Sequence, residues 1–316
     1  MYEKISARKV FGETLAEYGA INTEIVVLVA DVSASVRTDY FANKFPERFF
    51  NIGIAEAGMV DVAVGLALGG MIPFVNTFAG LYLRAIEQIR TCVSYAQTNV
   101  KLIGGYAGLS DFKDGPTHHS IMDIATMRAM PNMTIVVPAD ITEIKKMIPL
   151  IAEYQGPVYM RISRAEMPVI FDEAHNIEIG RAVNISDGSD VSIIATGSMV
   201  ARSLQAKEIL SKEGISAKVI NMHTIKPLDI SAVKEASQTG AIVTVEEHSV
   251  IGGLGSAVTE ALSDNSSVVI KRVGINDTFA ETSLNYEELL DHYGMGVEDI
   301  VRTAKDTLNI KKEMRK

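Results

Sequence analysis

Tryptophan is absent from the 316 residues and cysteine occurs once. The lone Cys92 cannot form an internal disulfide, and the N-terminal MYEKISARKV has no apolar core of the kind a secretory signal carries. A cytoplasmic setting is the expectation. Basic residues are the minority, 30 Lys+Arg against 39 Asp+Glu, a net charge of -9. No basic face is then available to draw phosphate backbones or anionic lipid, which argues against nucleic acid and membrane surfaces as partners. Long apolar runs are missing too. The longest, Gly58 to Val75, is broken by Asp61, Gly69-Gly70 and Pro73, short of the ~20 residues that cross a bilayer. There is no low-complexity stretch. What remains is a chain that is 47% hydrophobic, enough for two α/β domains with a core each.

Short β-branched runs alternate with helix-length segments: EIVVLVA (24–30), MIPFVNT (71–77), VKLIGGY (100–106), MTIVVP (133–138) and PVYMRI (157–162). Continuous apolar runs of that length predict parallel strands covered on both faces. Ser6 predicts the cap of a helix carrying Val10, Phe11 and Leu15, Ser120 with Asp123 a capping box, and 139–154 a helix after Pro138. Residues 1–175 therefore form one doubly wound unit. A polar stretch, 176–189, predicts a linker. A second α/β unit over 190–316 contains DVSIIAT (190–196), SAKVINM (216–222), AIVTVEE (241–247) and SVVIKRV (267–273).

Chemistry in such sheets gathers beyond the carboxyl ends of the strands. There the sequence places Asp31, Ser33 and Ser35, the loop GLSDFKDGPTHHS (108–120), and Ser163-Arg164. DGPTHHS reads either as a turn with capping groups or as part of a ligand site. Metal binding by the adjacent His118 and His119 is disfavoured, because neighbours in sequence rarely chelate one ion. GGLGS (252–256) lacks the lysine of a phosphate loop and predicts a packed helix start. His223 and His248 read as ordinary strand-end histidines. FFNIGIAEAGM (49–59) is the unusual segment, for it sets one carboxylate, Glu56, among apolar residues where a strand enters a helix. Glu56 is either a helix N-terminal carboxylate favoured by the dipole or an acid held dry so that it shares a proton with a nitrogen base.

NIGIAEAGM followed by VNTFAG, DGPTHHS, MPNMTIVVPAD and RISR, in that order, resembles the C-terminal half of transketolase: a pyrimidine-binding domain, then a smaller C-terminal α/β domain. The resemblance runs from about Ser6 to the end of the chain and implies thiamine diphosphate as cofactor. On that basis Glu56 bonds the pyrimidine N1′ and drives an imino tautomer whose 4′-nitrogen takes the proton from the thiazolium C2. The resemblance also implies that Phe78 stacks on the aminopyrimidine and that Asp31 lies near the cofactor. It implies that His118 contacts the donor sugar's hydroxyls and helps proton transfer, that Asp114 reads the stereochemistry of a hydroxyl, and that Arg8, Ser35 and Arg164 hold a terminal phosphate. Two guanidiniums and a hydroxyl suit a phosphate dianion.

The sequence departs from the family pattern where Tyr106 replaces a phosphate-contacting histidine and Phe112-Lys113 replaces a more flexible acidic segment. It also contains no GDG, the motif that, with a downstream Asn, holds the diphosphate and its Mg2+ or Ca2+ in this family. The implied partner is a separate N-terminal subunit carrying that motif, in a two-plus-two assembly, with sugar phosphates as substrates for ketol transfer. A synthase condensing pyruvate with a triose phosphate, the β subunit of a 2-oxoacid dehydrogenase, and a non-catalytic subunit of the same fold are the alternatives.

Overall fold

The computed structural model describes residues 3–264 and 267–314. The five apolar runs of the first unit become strands whose residues are almost all buried, as a sheet covered on both faces requires. The sheet has seven strands, ordered Thr224–Lys226, Thr134–Val136, Val158–Arg161, Lys101–Gly105, Ile72–Phe78, Ile25–Val29, Phe49–Asn51. All pair in parallel except Thr224–Lys226, an antiparallel edge strand supplied by the second half of the chain. The second sheet has five, ordered Val269–Ile275, Ala241–Ser249, Val191–Ala195, Ala217–Asn221, Val183–Ser186, again parallel apart from the last. The expected pair of α/β units is thus present. Among the described residues no helix is long and apolar enough to cross a membrane.

Three expectations need correction. The polar 176–189 segment carries the edge strand Val183–Ser186, whose half-exposed VNIS lacks the apolar run by which buried strands announce themselves. The two units also share core. Beside a cluster centred on each unit, Ile194, Ile220, Met222 and Ile225 pack in one cluster with Val26, Met59, Val75 and Ile135, so the cores are not separate and the boundary between sheets is apolar and continuous. Finally, Ser120 caps nothing. The helix Asp123–Ala129 starts after Met122 without a side-chain cap, because Asp123 turns inward to a buried guanidinium.

That guanidinium is Arg161. Its Nε and Nη2 donate to the two oxygens of Asp123 at 2.8 and 3.0 Å, the Tyr159 hydroxyl adds a third bond at 2.6 Å, and both charged side chains are at most 5% exposed. Although burial alone would raise the Asp123 pKa, the Arg161 guanidinium holds the carboxyl below its ordinary range. Nη2 of Arg161 also donates to the carbonyls of Ser120 and Glu247, fastening the 108–120 loop to the second sheet. Removing one member of a buried pair strands the other. Asp123→Asn is therefore expected to lower unfolding free energy by about 3 kcal/mol, read by denaturant titration; a loss within error would show that the pair contributes nothing to holding the loop.

Other loops reach the same edge through conventional devices. Ser6 accepts the Lys9 amide and starts the helix Ala7–Ile21. The strand Lys4–Ser6 before it pairs antiparallel with Glu166–Pro168, Ser6 opposite Glu166. That register carries Arg8, on the first turn of its helix, to the segment holding Arg164.

Candidate functional site

Glu56 is the first residue of the helix Glu56–Leu68, reached from the strand Phe49–Asn51 through Gly53 in the left-handed region (φ 78°). Ala55 at the cap offers no side-chain acceptor, so the first-turn amides and their partial positive charge face a carboxylate that is 2% exposed. Its partner is Arg84, whose Nη1 stands 3.3 Å from both carboxylate oxygens and whose side chain is 57% exposed. A saturated charge-assisted bond is shorter, about 2.7–2.9 Å. The acid is compensated but loosely held. Asn51 organises the approach: its Oδ1 accepts the amides of Asp31 and Gly53, each at 3.0 Å, and its Nδ2 donates to Asp31 Oδ1 at 3.1 Å. Asp31, itself left-handed (φ 57°) and exposed, therefore belongs with the Glu56 loop.

Phe78 closes the strand Ile72–Phe78, and the 3-10 helix Ala79–Ala85 that follows carries Arg84. Glu56 and Phe78 are linked through that helix. The half-buried Phe78 ring stacks on Tyr106, centroids 4.0 Å apart and planes at 25°, with the His118 ring 6.0 Å away. His118 Nδ1 is 3.0 Å from the Thr117 hydroxyl, while the adjacent His119 is buried with Nε2 3.2 Å from the Asp111 carbonyl. The two imidazoles serve different surroundings, and burial lowers the pKa of His119. Among the described residues no group of three His, Cys, Asp or Glu is placed to hold a metal ion.

Beyond Tyr106 lies a cationic pocket. Arg8 Nη1 donates to the Ser35 carbonyl at 2.6 Å and to the Tyr106 hydroxyl at 2.8 Å, and its guanidinium lies 5.1 Å from the Tyr106 ring centroid. Arg164 approaches the same ring at 5.3 Å and that of Phe112 at 5.8 Å. Burial, then the neighbouring Arg164 and Arg37, act to lower the Arg8 pKa, and Tyr106 and Asp111 oppose them. Its Nε is buried without a hydrogen-bond partner among the described residues. The Arg164 Nη1 donates to Asp111 Oδ1 at 2.7 Å, and Asp111 is fully buried. Burial pushes the Asp111 pKa up to about 6 against the pull of Arg164, with the exposed Asp114 carboxyl adding to the rise.

The sequence-predicted residues thus fall into two neighbourhoods on one sheet edge: Asp31 with Glu56, and Arg8, Ser35, Asp114, His118 and Arg164 around Tyr106 and Phe78. Ser35 enters the second through its carbonyl, which accepts from Arg8. Sequence reasoning missed Arg84 and Asp111. Arg84 lies 28 residues from its partner, and nothing local pairs them. A signal for Asp111 did exist, a second acid three residues before Asp114 in a loop already rich in polar groups.

The second unit packs against this edge. Glu247 accepts the Leu109 amide at 2.7 Å and the hydroxyls of Ser198 and Tyr286 at 2.6 Å each, and burial raises its pKa. Gly108, at φ 65°, is required there, since a Cβ would sit 2.4 Å from Glu247 Oε1. GGLGS is a packed helix start, as expected: Glu246 accepts the amides of Leu254 and Gly255 at 2.7 and 2.8 Å. A carboxylate already occupies the place an anion would take.

Comparison with known proteins agrees with this architecture. The transketolase pyrimidine-binding domain matches residues 3–169 and the transketolase C-terminal domain residues 180–300. A putative transketolase C-terminal section from Methanocaldococcus jannaschii is 44% identical over 305 residues, covering 95% of this chain and 96% of that protein. A subunit of a 6-deoxy-6-sulfo-D-fructose transketolase from Clostridium sp. (strain MSTE9) is 40% identical over 95% of this chain and 93% of its own length. A solved structure described as a split gene transketolase, an inactive beta4 tetramer, superposes with a TM-score of 0.90 at 43% identity, covering 97% of this chain and 99% of that one. The chain belongs to the transketolase family, as a pyrimidine-binding domain followed by the family's C-terminal domain.

Proposed function

We propose that the protein is the C-terminal subunit of a two-chain transketolase, moving a two-carbon ketol unit from a ketose phosphate to an aldose phosphate. The observation that carries this reading is the juxtaposition on one sheet edge of a dry, loosely paired Glu56 with an aromatic shelf and two arginines. The residues fit the pyrimidine end of thiamine diphosphate. A buried acid with a 3.3 Å partner can exchange it for a ring nitrogen, and the half-buried Phe78 offers a flat apolar surface. Thiamine diphosphate, when bound, supplies a carbon nucleophile that side chains lack.

This chain's own residues do the rest. Glu56 holds a proton against the pyrimidine nitrogen in surroundings where separated charge is disfavoured. His118, beside Phe78, moves a proton at the sugar hydroxyls, and Asp114 on the same turn orients one of them. Asp31 positions the Glu56 loop through Asn51. Arg8, with an unpartnered buried Nε, and Arg164 grip the anionic end near Ser35. The diphosphate and its Mg2+ or Ca2+ fall to a partner carrying GDG and a downstream Asn, in a two-plus-two assembly. The tetramer named in the solved relative supports self-association of such chains.

The test mixes this chain with that partner, thiamine diphosphate, Mg2+, a ketose phosphate and an aldose phosphate. Turnover that requires both chains is expected, and none with both chains folded would contradict the reading. The relative named for a sulfonated ketose makes such a sugar the second donor to assay.

A further inference from the structure

Asp111 sits where an acid opposes the pocket's purpose. Its carboxylate is fully buried, 2.7 Å from the guanidinium Arg164 would offer a ligand, and close enough to Arg8 to act on it. The groups around it are Arg164 from the segment after Val158–Arg161, Arg8 from the first helix, and Asp114 and His118 from its own loop, with His119 bonded to its carbonyl. Two arginines face two carboxylates, with Arg37 also acting on Arg8, so without a ligand Asp111 offsets part of the pocket's positive charge.

We propose that Asp111 is a specificity-determining residue, an internal counter-ion that pairs Arg164 in the free protein, so that an anionic sugar end group binds in competition with it and the site gains a fraction of a proton as it does so. The proposal rests on the reading of Arg8 and Arg164 as the anion grip. The sign follows from the charges: above about pH 6 Asp111 is ionised and competes with the ligand for Arg164, and below it the competitor is neutral. Anion binding therefore weakens as pH rises. An anion of higher charge meets the greater repulsion from Asp111 and Asp114, which makes this carboxylate a filter on the charge of the end group.

Inorganic sulfate is the probe, because its own charge is constant between pH 6 and 8, and the full-length chain alone suffices. Titration calorimetry is expected to show sulfate affinity falling about tenfold from pH 6 to pH 8 in the parent protein. Asp111→Asn should bind equally well at both, and at pH 8 about tenfold more tightly than the parent. Asp111→Ser, also neutral, should behave the same, which guards against a folding defect peculiar to one variant. Histidine is the other side chain able to change charge in this range, so parent and both variants all carry His118→Asn in these titrations, which removes the nearby imidazole from the comparison. Persistence of the pH dependence in them would overturn the proposal while leaving the anion grip standing. Sulfate binding undiminished in Arg164→Ala would overturn both.

Discussion

Glu56→Gln in the reconstituted two-chain enzyme is expected to lower kcat by about a thousandfold, within the range a positioned acid or base contributes. The amide keeps the size of the side chain and can still donate a hydrogen bond to a ring nitrogen, but it cannot give up or take a proton. The defect should therefore fall on kcat, with the affinity for thiamine diphosphate changed far less. Folding should survive. The Glu56–Arg84 pair is long at 3.3 Å and its arginine is 57% exposed, so after allowance for solvent screening its loss costs at most ~1 kcal/mol. A melting curve of the isolated chain checks this, and it separates a chemical defect from a collapsed helix start. Activity within tenfold of the parent would reassign Glu56 to its simpler role as a carboxylate at a helix N-terminus.

Arg164→Ala should reduce kcat/KM for a phosphorylated donor by about 100-fold to 1000-fold, with most of the loss in KM. A charge-assisted bond is worth roughly 1.5–3 kcal/mol, and here a second effect adds to it. Removing the guanidinium leaves Asp111 buried and uncompensated beside the place the anion must occupy. The same substitution should scarcely alter turnover of an unphosphorylated ketose. Because the two residues touch, their effects should not add: Arg164→Ala with Asp111→Asn is expected to recover part of the loss, by about tenfold, in a double-mutant cycle. An equal loss on charged and uncharged sugars would mean that Arg164 supports the loop rather than the ligand.

Much of this architecture was legible because it rests on local pattern. Buried parallel strands need continuous apolar runs, and those at 24–30, 71–77 and 100–106 match the observed strands to within one or two residues. The helix start with its own acceptor at Ser6 was equally readable, and so was the helix after Pro138, although its cap, Asp140, was not singled out. Short edge strands were not. Val183–Ser186 and Thr224–Lys226 are fixed by pairing with strands tens of residues away, and their sequences carry no period of their own. Ser120 failed as a cap for a related reason: the turn signal was present, but the Arg161 guanidinium, 38 residues from Asp123, drew that acid into the interior.

The site divides along the same line. Glu56, Phe78 and the DGPTHHS loop stood out by their surroundings in sequence, whereas Arg84 and Asp111 acquire meaning only from what the fold sets against them. Tyr106 read as a bare departure from the family pattern. In the fold it is a stacking partner for Phe78 and a hydrogen-bond acceptor for Arg8. Compensating contacts of this kind accumulate where charged groups are buried, because each needs a partner and sequence distance does not restrict which one.

The most direct measurement is the structure of this chain assembled with its N-terminal partner and thiamine diphosphate. The result expected is the pyrimidine nitrogen within about 2.6–3.2 Å of the Glu56 carboxylate, the ring resting on Phe78, and Arg84 turned away. Cofactor held elsewhere, with Arg84 still paired to Glu56, would contradict the account.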